Sequence, residues 1–370
     1  MNRQTTNEIL MVRPAAFHFN AQTANSNRFQ IESQSLSDEE VASKALAEFD
    51  GLAKQLERAG VRVNVLQDTW SLAATCARGE NGLGQGVLGE NGQNSPNSLS
   101  QNSLSQNSPN SLNQAPAKPP VPYFQDPTPD SIFPNNWFVT LGNSRLFLSS
   151  MQADNRHLER LKFLPSLLEL LGQPKAGANA SAASAAQPLE LLDFACYRPQ
   201  GRFLEGTGVL ILDRVRKIAY ACLSPRCDAL LVSRFCDAYG YRAHTFCAQF
   251  KGAAIYHSNV MMAIGSHFAH ICLEAVDEQD RAPLREKLAQ SHEINELSLA
   301  QIELFAGNVL ELQNAQGQPL LAMSTSAWQS FSPDQKRKLE SRHELVIASI
   351  PTIQSYGGGG VRCMIAEIFG

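Results

Sequence analysis

FLEGTGVLILDRVRKIAYACLSPRCDALLVSRFCDAYGYRAHTFCAQ, residues 203–249, holds one complete structural unit. FLEGTGVLIL and IAYACLS are apolar runs on either side of the charged DRVRK, which reads as a hairpin. DALLVSRFCDAYG then reads as a helix and YRAHTFCAQ as a strand.

The same order of two strands, helix and strand can be followed in both directions. Upstream, WFVTLG and SRLFLSSM form a hairpin joined at Gly142-Asn143, NRHLERLKFLPSLLELLG a helix and PLELLDFAC a strand. Downstream, VMMAIGSHFAHICLEAV reads as strand-turn-strand, RAPLREKLAQSH as a helix and EINELSL as a strand, with FAGNVLEL and LLAMST as further strands. Near the start, MVRPAAF (11–17) reads as a strand leading into a loop. SDEEVASKALAEFDGLAKQLERAG (37–60) is an amphipathic helix capped by Ser37, with Glu40 at the capping-box position and Gly60 as its stop, and VRVNVLQD is a strand. The unit recurs about every 60 to 70 residues, and such repetition favours radial symmetry over one open sheet, an ordinary mixed α/β fold being the alternative.

Residues 1–10 are expected to be a tail and 11–370 a single catalytic domain, broken by two soft segments. NSPNSLSQNSLSQNSPNSLNQ lies within a low-complexity tract at 81–120 that offers little to bury and is expected to be a disordered insertion. GQPKAGANASAASAAQP at 172–188 is expected to be a flexible loop. The chain carries a net charge of -4 with its Lys and Arg scattered, which points away from nucleic acid and anionic membranes. No run approaches transmembrane length and the polar N-terminus does not resemble a signal peptide, so a cytoplasmic location is expected. Of the eight cysteines, seven sit in apolar surroundings and are expected in the core.

The eighth is Cys363. It stands in IPTIQSYGGGGVRCMIAEIF, behind four glycines that let a substrate approach the backbone closely. The other reading of that segment is a flexible loop with an incidental cysteine. AAIYHSNVMM offers His257, a residue suited to moving protons near neutral pH, and Asn259, placed on the same strand face by a spacing of two. Glu205 in RFLEGTG could orient that histidine, completing a Cys-His-acid arrangement. Asn135 and Asn136 in DSIFPNNWFVT can both donate and accept hydrogen bonds. Taken singly, each of these also fits plain turn chemistry. His267, His270 and Cys272 have metal-like spacing but alternate across a strand, so no metal is expected, and no phosphate loop or dinucleotide fingerprint appears.

Together the four segments resemble the guanidine-modifying superfamily, which includes arginine deiminase, dimethylarginine dimethylaminohydrolase, agmatine deiminase and amidinotransferases. Gly359, Gly360, Arg362, Cys363 and Met364 match its nucleophile loop. His257 and Asn259 match its His segment, Glu205-Gly206-Thr207 its acidic segment, and Phe133 to Asn136 its Phe-x-x-Asp strand, with Asn where many members have Asp. FPNNWF, LEGTG, IYHSNVMM, FAGNVLEL and GGGVRCMIAEIF are most similar to the citrulline utilisation hydrolase branch.

The resemblance implies a five-bladed pseudo-fivefold α/β propeller (pentein) of ββαβ units with its site on the axis. It also implies a covalent mechanism with no cofactor, Cys363 as nucleophile, His257 as acid/base and Glu205 as its orienting acid. Asn136, Asn259, Asn135, Gly360 and Arg362 would contact a small-molecule substrate, and a His257 cation would favour the Cys363 thiolate. Two neutral amides at the head-group positions suit a neutral ureido group better than a guanidinium, so citrulline is the expected substrate. The alternatives are a deiminase, dihydrolase or amidinotransferase acting on arginine or a derivative, and a non-catalytic propeller binding protein. Oligomeric state is left open, a homo-oligomer among the options.

Overall fold

A computed structural model describes residues 3–31, 36–68, 128–172 and 188–370. The tract at 81–120 lies outside the described residues, as does all of 172–188 except its two ends.

The described residues form five three-stranded sheets of identical internal order. In each, an inner strand runs antiparallel to a middle strand, which pairs in parallel with an outer strand. The inner, middle and outer strands are Phe138–Thr140, Arg145–Leu148 and Glu190–Asp193 in one sheet, and Ile211–Asp213, Ile218–Cys222 and Arg242–Phe246 in the next. They are Met262–Ile264, Phe268–Ile271 and Glu293–Glu296 in the third, and Leu310–Gln313, Pro319–Ser324 and Glu344–Ala348 in the fourth. The fifth joins the two ends of the chain: Ala366–Glu367 is its inner strand, Glu8–Arg13 its middle and Arg62–Gln67 its outer strand. A parallel pair needs a crossover, and helices supply it: Asp154–Gly172, Ala229–Tyr239, Glu278–Ala289, Pro333–Glu340 and Asp38–Arg58. This is the five-bladed propeller that the family resemblance implies, with the radial repetition that the recurring unit favours. A sixth, two-stranded sheet pairs Gln249–Phe250 with Ala253–Ala254.

Local chemistry accounts for several boundaries. Ser37 accepts from the Glu40 amide while Glu40 reaches back to the Ser37 amide, so two orphan donors at the helix start are met. At the first hairpin Gly142, Asn143 and Ser144 all have positive φ, a conformation that Gly and Asn tolerate best.

Three expectations are corrected. The first strand begins at Glu8, and Thr5 and Thr6 are buried, so most of the stretch expected as a tail belongs to the ring. Thr6 bonds to the Ile368 carbonyl, an anchor that its neighbouring residues do not announce. LEGTG and YHSN do not extend the strands after them: Gly206–Val209 is a short helix, and Ser258–Val260 is a 3-10 turn that follows His257. Among the described cysteines, Cys222, Cys227, Cys236 and Cys272 are core residues, but Cys196 is exposed and Cys247 half-buried. Cys76 lies outside the described residues. No helix among the described residues is long and apolar enough to cross a membrane.

Candidate active site

The turn that leads into each inner strand supplies a polar side chain. Pro134–Asn136 is a 3-10 turn before Phe138, Glu205 precedes the short helix before Ile211, and His257 opens the turn before Met262. Asn308 stands before Leu310, and Cys363 lies in the turn before Ala366. Because the five modules are arranged around one axis, their equivalent turns meet at one end of it. That is how residues far apart in sequence come together.

On one side is the Cys363 sulfur. It accepts from Asn308 Nδ2 at 3.2 Å and Asn259 Nδ2 at 3.4 Å. Burial raises the thiol above its ordinary pKa, against the Asn308 amide and the charge of Arg362. On the other side, His257 Nε2 lies 2.7 Å from Glu205 Oε2. Glu205 Oε1 accepts from the Gln152 amide at 2.8 Å, and Arg226 stands 3.5 Å from Oε2. Burial works to raise the Glu205 carboxyl, but Arg226 and the His257 hydrogen bond outweigh it and hold the group at about 2. Burial pushes the His257 imidazole down to about 4 in spite of its carboxylate partner. Near neutral pH the site therefore rests as a neutral thiol, a neutral imidazole and an ionised carboxylate. An ionised carboxylate only accepts, so Nε2 carries the imidazole proton and Nδ1 is the basic nitrogen. The expected His257 cation beside a thiolate is corrected: desolvation without a neighbouring anion strong enough to offset it keeps the imidazole uncharged.

Close packing makes the arrangement possible. A Cβ on Gly208 would lie 2.3 Å from Asn136 Nδ2 and 2.9 Å from the His257 ring, and one on Gly360 would lie 2.6 Å from Asn308 Oδ1. Tyr256 donates to the Gly358 carbonyl at 2.8 Å, and Asn27 Nδ2 to that of Gly357 at 3.2 Å, so the glycine run is tied down on both sides.

The structure brings Cys363, His257, Glu205, Asn136 and Asn259 to one place. Asn135 is buried beside them, facing Thr207 across a 3.4 Å hydrogen bond. Gly360 acts by being small. Arg362 does not fit the expectation of substrate contact: it bonds to the Ile365 carbonyl and Glu367, clamping the turn behind the thiol. Three residues went unassigned from sequence. Asn308 was visible only as part of FAGN, where Phe305 has positive φ and turns the chain toward the sulfur. Arg156 donates to Asn136 Oδ1 at 2.9 Å and forks onto Glu159. Asp130 is buried, its Oδ2 held by Asn20 and Thr23 and its Oδ1 without a partner.

The chain matches a family model described as N,N dimethylarginine dimethylhydrolase, eukaryotic, over residues 13–76 and 121–370. No curated protein matches it. Among solved structures, the N-terminal domain of ArgZ, an arginine dihydrolase from the Ornithine-Ammonia Cycle in Cyanobacteria, was captured as a mutant bound to substrate. It superposes with a TM-score of 0.64 at 12% identity, covering 98% of each chain. Apo ArgZ gives 0.64 at 13%, covering 98% of this chain and 40% of that one. A dimethylarginine dimethylaminohydrolase mutant in adduct with S-methyl-L-thiocitrulline gives 0.55 at 11%, covering 100% of both. What these structures share with the chain is the fold, the pentein propeller of the guanidine-modifying superfamily.

Proposed function

The chain belongs to the family described as N,N dimethylarginine dimethylhydrolase, eukaryotic, within the guanidine-modifying superfamily, and from that we propose that it is a hydrolase acting on C–N bonds at the guanidino or ureido carbon of an arginine-type amino acid. The observation that carries the proposal is that one turn serves both groups: His257 pairs with Glu205 at 2.7 Å while Asn259, two residues on, donates to the Cys363 sulfur at 3.4 Å. Cys363 is the nucleophile, His257 the acid/base, and Glu205 orients the imidazole and stabilises it once it is charged.

Within that class the amides around the sulfur support citrulline as substrate. The side chains of Asn136, Asn259 and Asn308 are all neutral, so a neutral ureido group leaves no uncompensated charge among them. His257 Nδ1 takes the proton as the Cys363 sulfur bonds to the ureido carbon. Collapse of that adduct breaks one C–N bond, and His257 returns the proton to the departing nitrogen. A thiocarbamate-type intermediate is left on Cys363. His257 then takes a proton from water, whose oxygen attacks the same carbon and expels the thiolate, which recovers that proton. The carbamic acid released loses carbon dioxide, and that step breaks the second C–N bond. The balance is citrulline and water in, and ornithine, ammonia and carbon dioxide out.

A second reading, a dihydrolase acting on arginine or a methylated arginine, is favoured by Asp130. Its unpartnered buried oxygen offers a cationic head group the anion that the amides do not. The activities of the structural neighbours, an arginine dihydrolase and a dimethylarginine dimethylaminohydrolase, lean the same way. A panel of citrulline, arginine and dimethylarginine, assayed for ornithine, citrulline and ammonia, decides between the readings. Ornithine from citrulline supports the first. Turnover of arginine with none of citrulline overturns it in favour of the second.

A further inference from the structure

We propose that Arg156 is a positioning residue that sets the polarity of the head-group pocket, fixing the Asn136 carboxamide so that it presents a donor and selects a carbonyl oxygen. The inference rests on the reading of this site as one that binds a guanidino or ureido carbon. Arg156 lies on the helix Asp154–Gly172, one turn from Glu159, and both side chains are buried. Its Nε and Nη2 fork onto the two Glu159 oxygens at 2.7 and 2.9 Å, Nη2 also donates to the Phe133 carbonyl at 2.8 Å, and Nη1 donates to Asn136 Oδ1 at 2.9 Å. Held at these points, the planar guanidinium has no other orientation to adopt.

The identity of the amide atoms follows from chemistry. A guanidinium has only donors, so the atom that meets Nη1 must be the Asn136 oxygen, and Nδ2 must point the other way. There Nδ2 is buried and has no partner. It lies within 3 Å of the Cβ position of Gly208, as does the His257 ring, so it faces the basic nitrogen's side of the site. Across from it, Asn259 and Asn308 turn their Nδ2 atoms to the sulfur, which leaves both Oδ1 atoms as unpartnered acceptors.

The pocket thus offers one fixed donor and two acceptors. A ureido group needs one donor for its oxygen and acceptors for its nitrogens. A guanidinium has no acceptor and would set N–H against the Asn136 N–H. A site built around a polar group rejects the analogue that leaves that group unpaired. The Arg156–Glu159 pair, remote from the reacting atoms, would therefore decide between two substrates that differ by one atom.

The test is binding by calorimetry to a Cys363→Ala protein, which does not depend on turnover. Citrulline should bind about tenfold or more tighter than arginine to this parent. Adding Arg156→Gln with Glu159→Gln removes both charges of the clamp together, frees the amide to turn, and should cut that ratio at least about fivefold; Asp130→Asn in the same background separates this from the change in charge beside Asp130. Arg156→Lys should fall between, and Asn136→Asp should reverse the preference. Near-ultraviolet dichroism checks that each variant is folded. A parent that prefers arginine, or a clamp variant that weakens both ligands in parallel, overturns the inference. The underlying reading fails separately, if wild-type protein turns over no member of the substrate panel while the binding ratio still moves with the clamp.

Discussion

The two walls of the site are built from opposite materials. Around the sulfur stand carboxamides, Asn259 and Asn308, which polarise without charge. Around the imidazole stand ions: Glu205, Arg226 and, behind them, Arg156 with Glu159. The amide wall leaves the buried thiol protonated. The ionic wall makes the imidazole the place where a proton can come to rest, because a His257 cation would find Glu205 already ionised 2.7 Å away. A buried thiol that stayed charged at rest would be open to oxidation and alkylation. Dividing the labour lets the sulfur become nucleophilic only as its proton leaves.

The largest way to break the comparison is to remove the sulfur. Cys363→Ala should lower kcat by about 10⁴-fold or more, and an intact-mass search for a covalent adduct should turn from positive to negative. Retained turnover would discard the nucleophile assignment. Next, His257→Asn takes away the proton's resting place and should cost about 10²- to 10⁴-fold in kcat while leaving substrate affinity within a fewfold. A change confined to KM would mean that the imidazole binds and does not shuttle.

Acid stability sharpens the ionic wall. His257 is depressed to about 4, so the unfolded chain binds its proton first, and stability present above the ordinary histidine value is lost as pH falls toward 4. Buried His270, pushed down to about 3 by burial and by His343, adds to the same limb. Glu205 extends it: with its carboxyl near 2, a contribution on the order of 3 kcal/mol is full above the usual carboxylate range and disappears as pH falls from there toward 2. Buried Glu159, raised to about 8, works the other way, its contribution growing as pH falls toward the usual carboxylate range, so each limb is read by difference: His257→Asn should lack the upper window of the wild-type melting profile and Glu205→Gln the lower one. A difference between wild type and His257→Asn that stays flat from pH 6.5 to 4 would contradict the neutral imidazole.

The smallest effect belongs to the amide wall. Asn308→Ala removes one of two donors to the sulfur and should slow iodoacetamide labelling of Cys363 by about tenfold, since a single hydrogen bond to a charged group is worth about that much. Labelling of exposed Cys196 in the same sample is the internal reference. Faster labelling of Cys363 would show that Asn308 shields the thiol more than it polarises it.

What could be read from sequence was whatever local chemistry decides. The hairpin at Gly142-Asn143 and the Ser37–Glu40 capping box are settled by neighbours three residues away or fewer, and they stand as expected. Cys363, His257 and Glu205, each compatible singly with plain turn chemistry, stand out only as a set, through the family resemblance. What escaped was burial. Arg156 and Glu159, three apart on a helix, look like an ordinary solvated pair, and only the packing of that helix over the FPNN turn shows otherwise. Asp130 and Asn308 are common turn residues whose meaning depends on what lies across the axis. Arg362 misled for the converse reason: adjacency to the cysteine suggested a shared task, yet a tight turn sends consecutive side chains to different sides, and its guanidinium ends on Glu367.

Ile9 pairs with Glu367 and Leu10 with Ala366, so the fifth sheet is stitched from the two ends of the described chain. Among the strand pairings of the described residues this one spans the greatest separation in sequence, so closing it carries the largest loop entropy. Cys363 sits three residues before it, in the turn that the pairing holds in place. The clasp that shuts the ring therefore also frames the turn that carries the thiol.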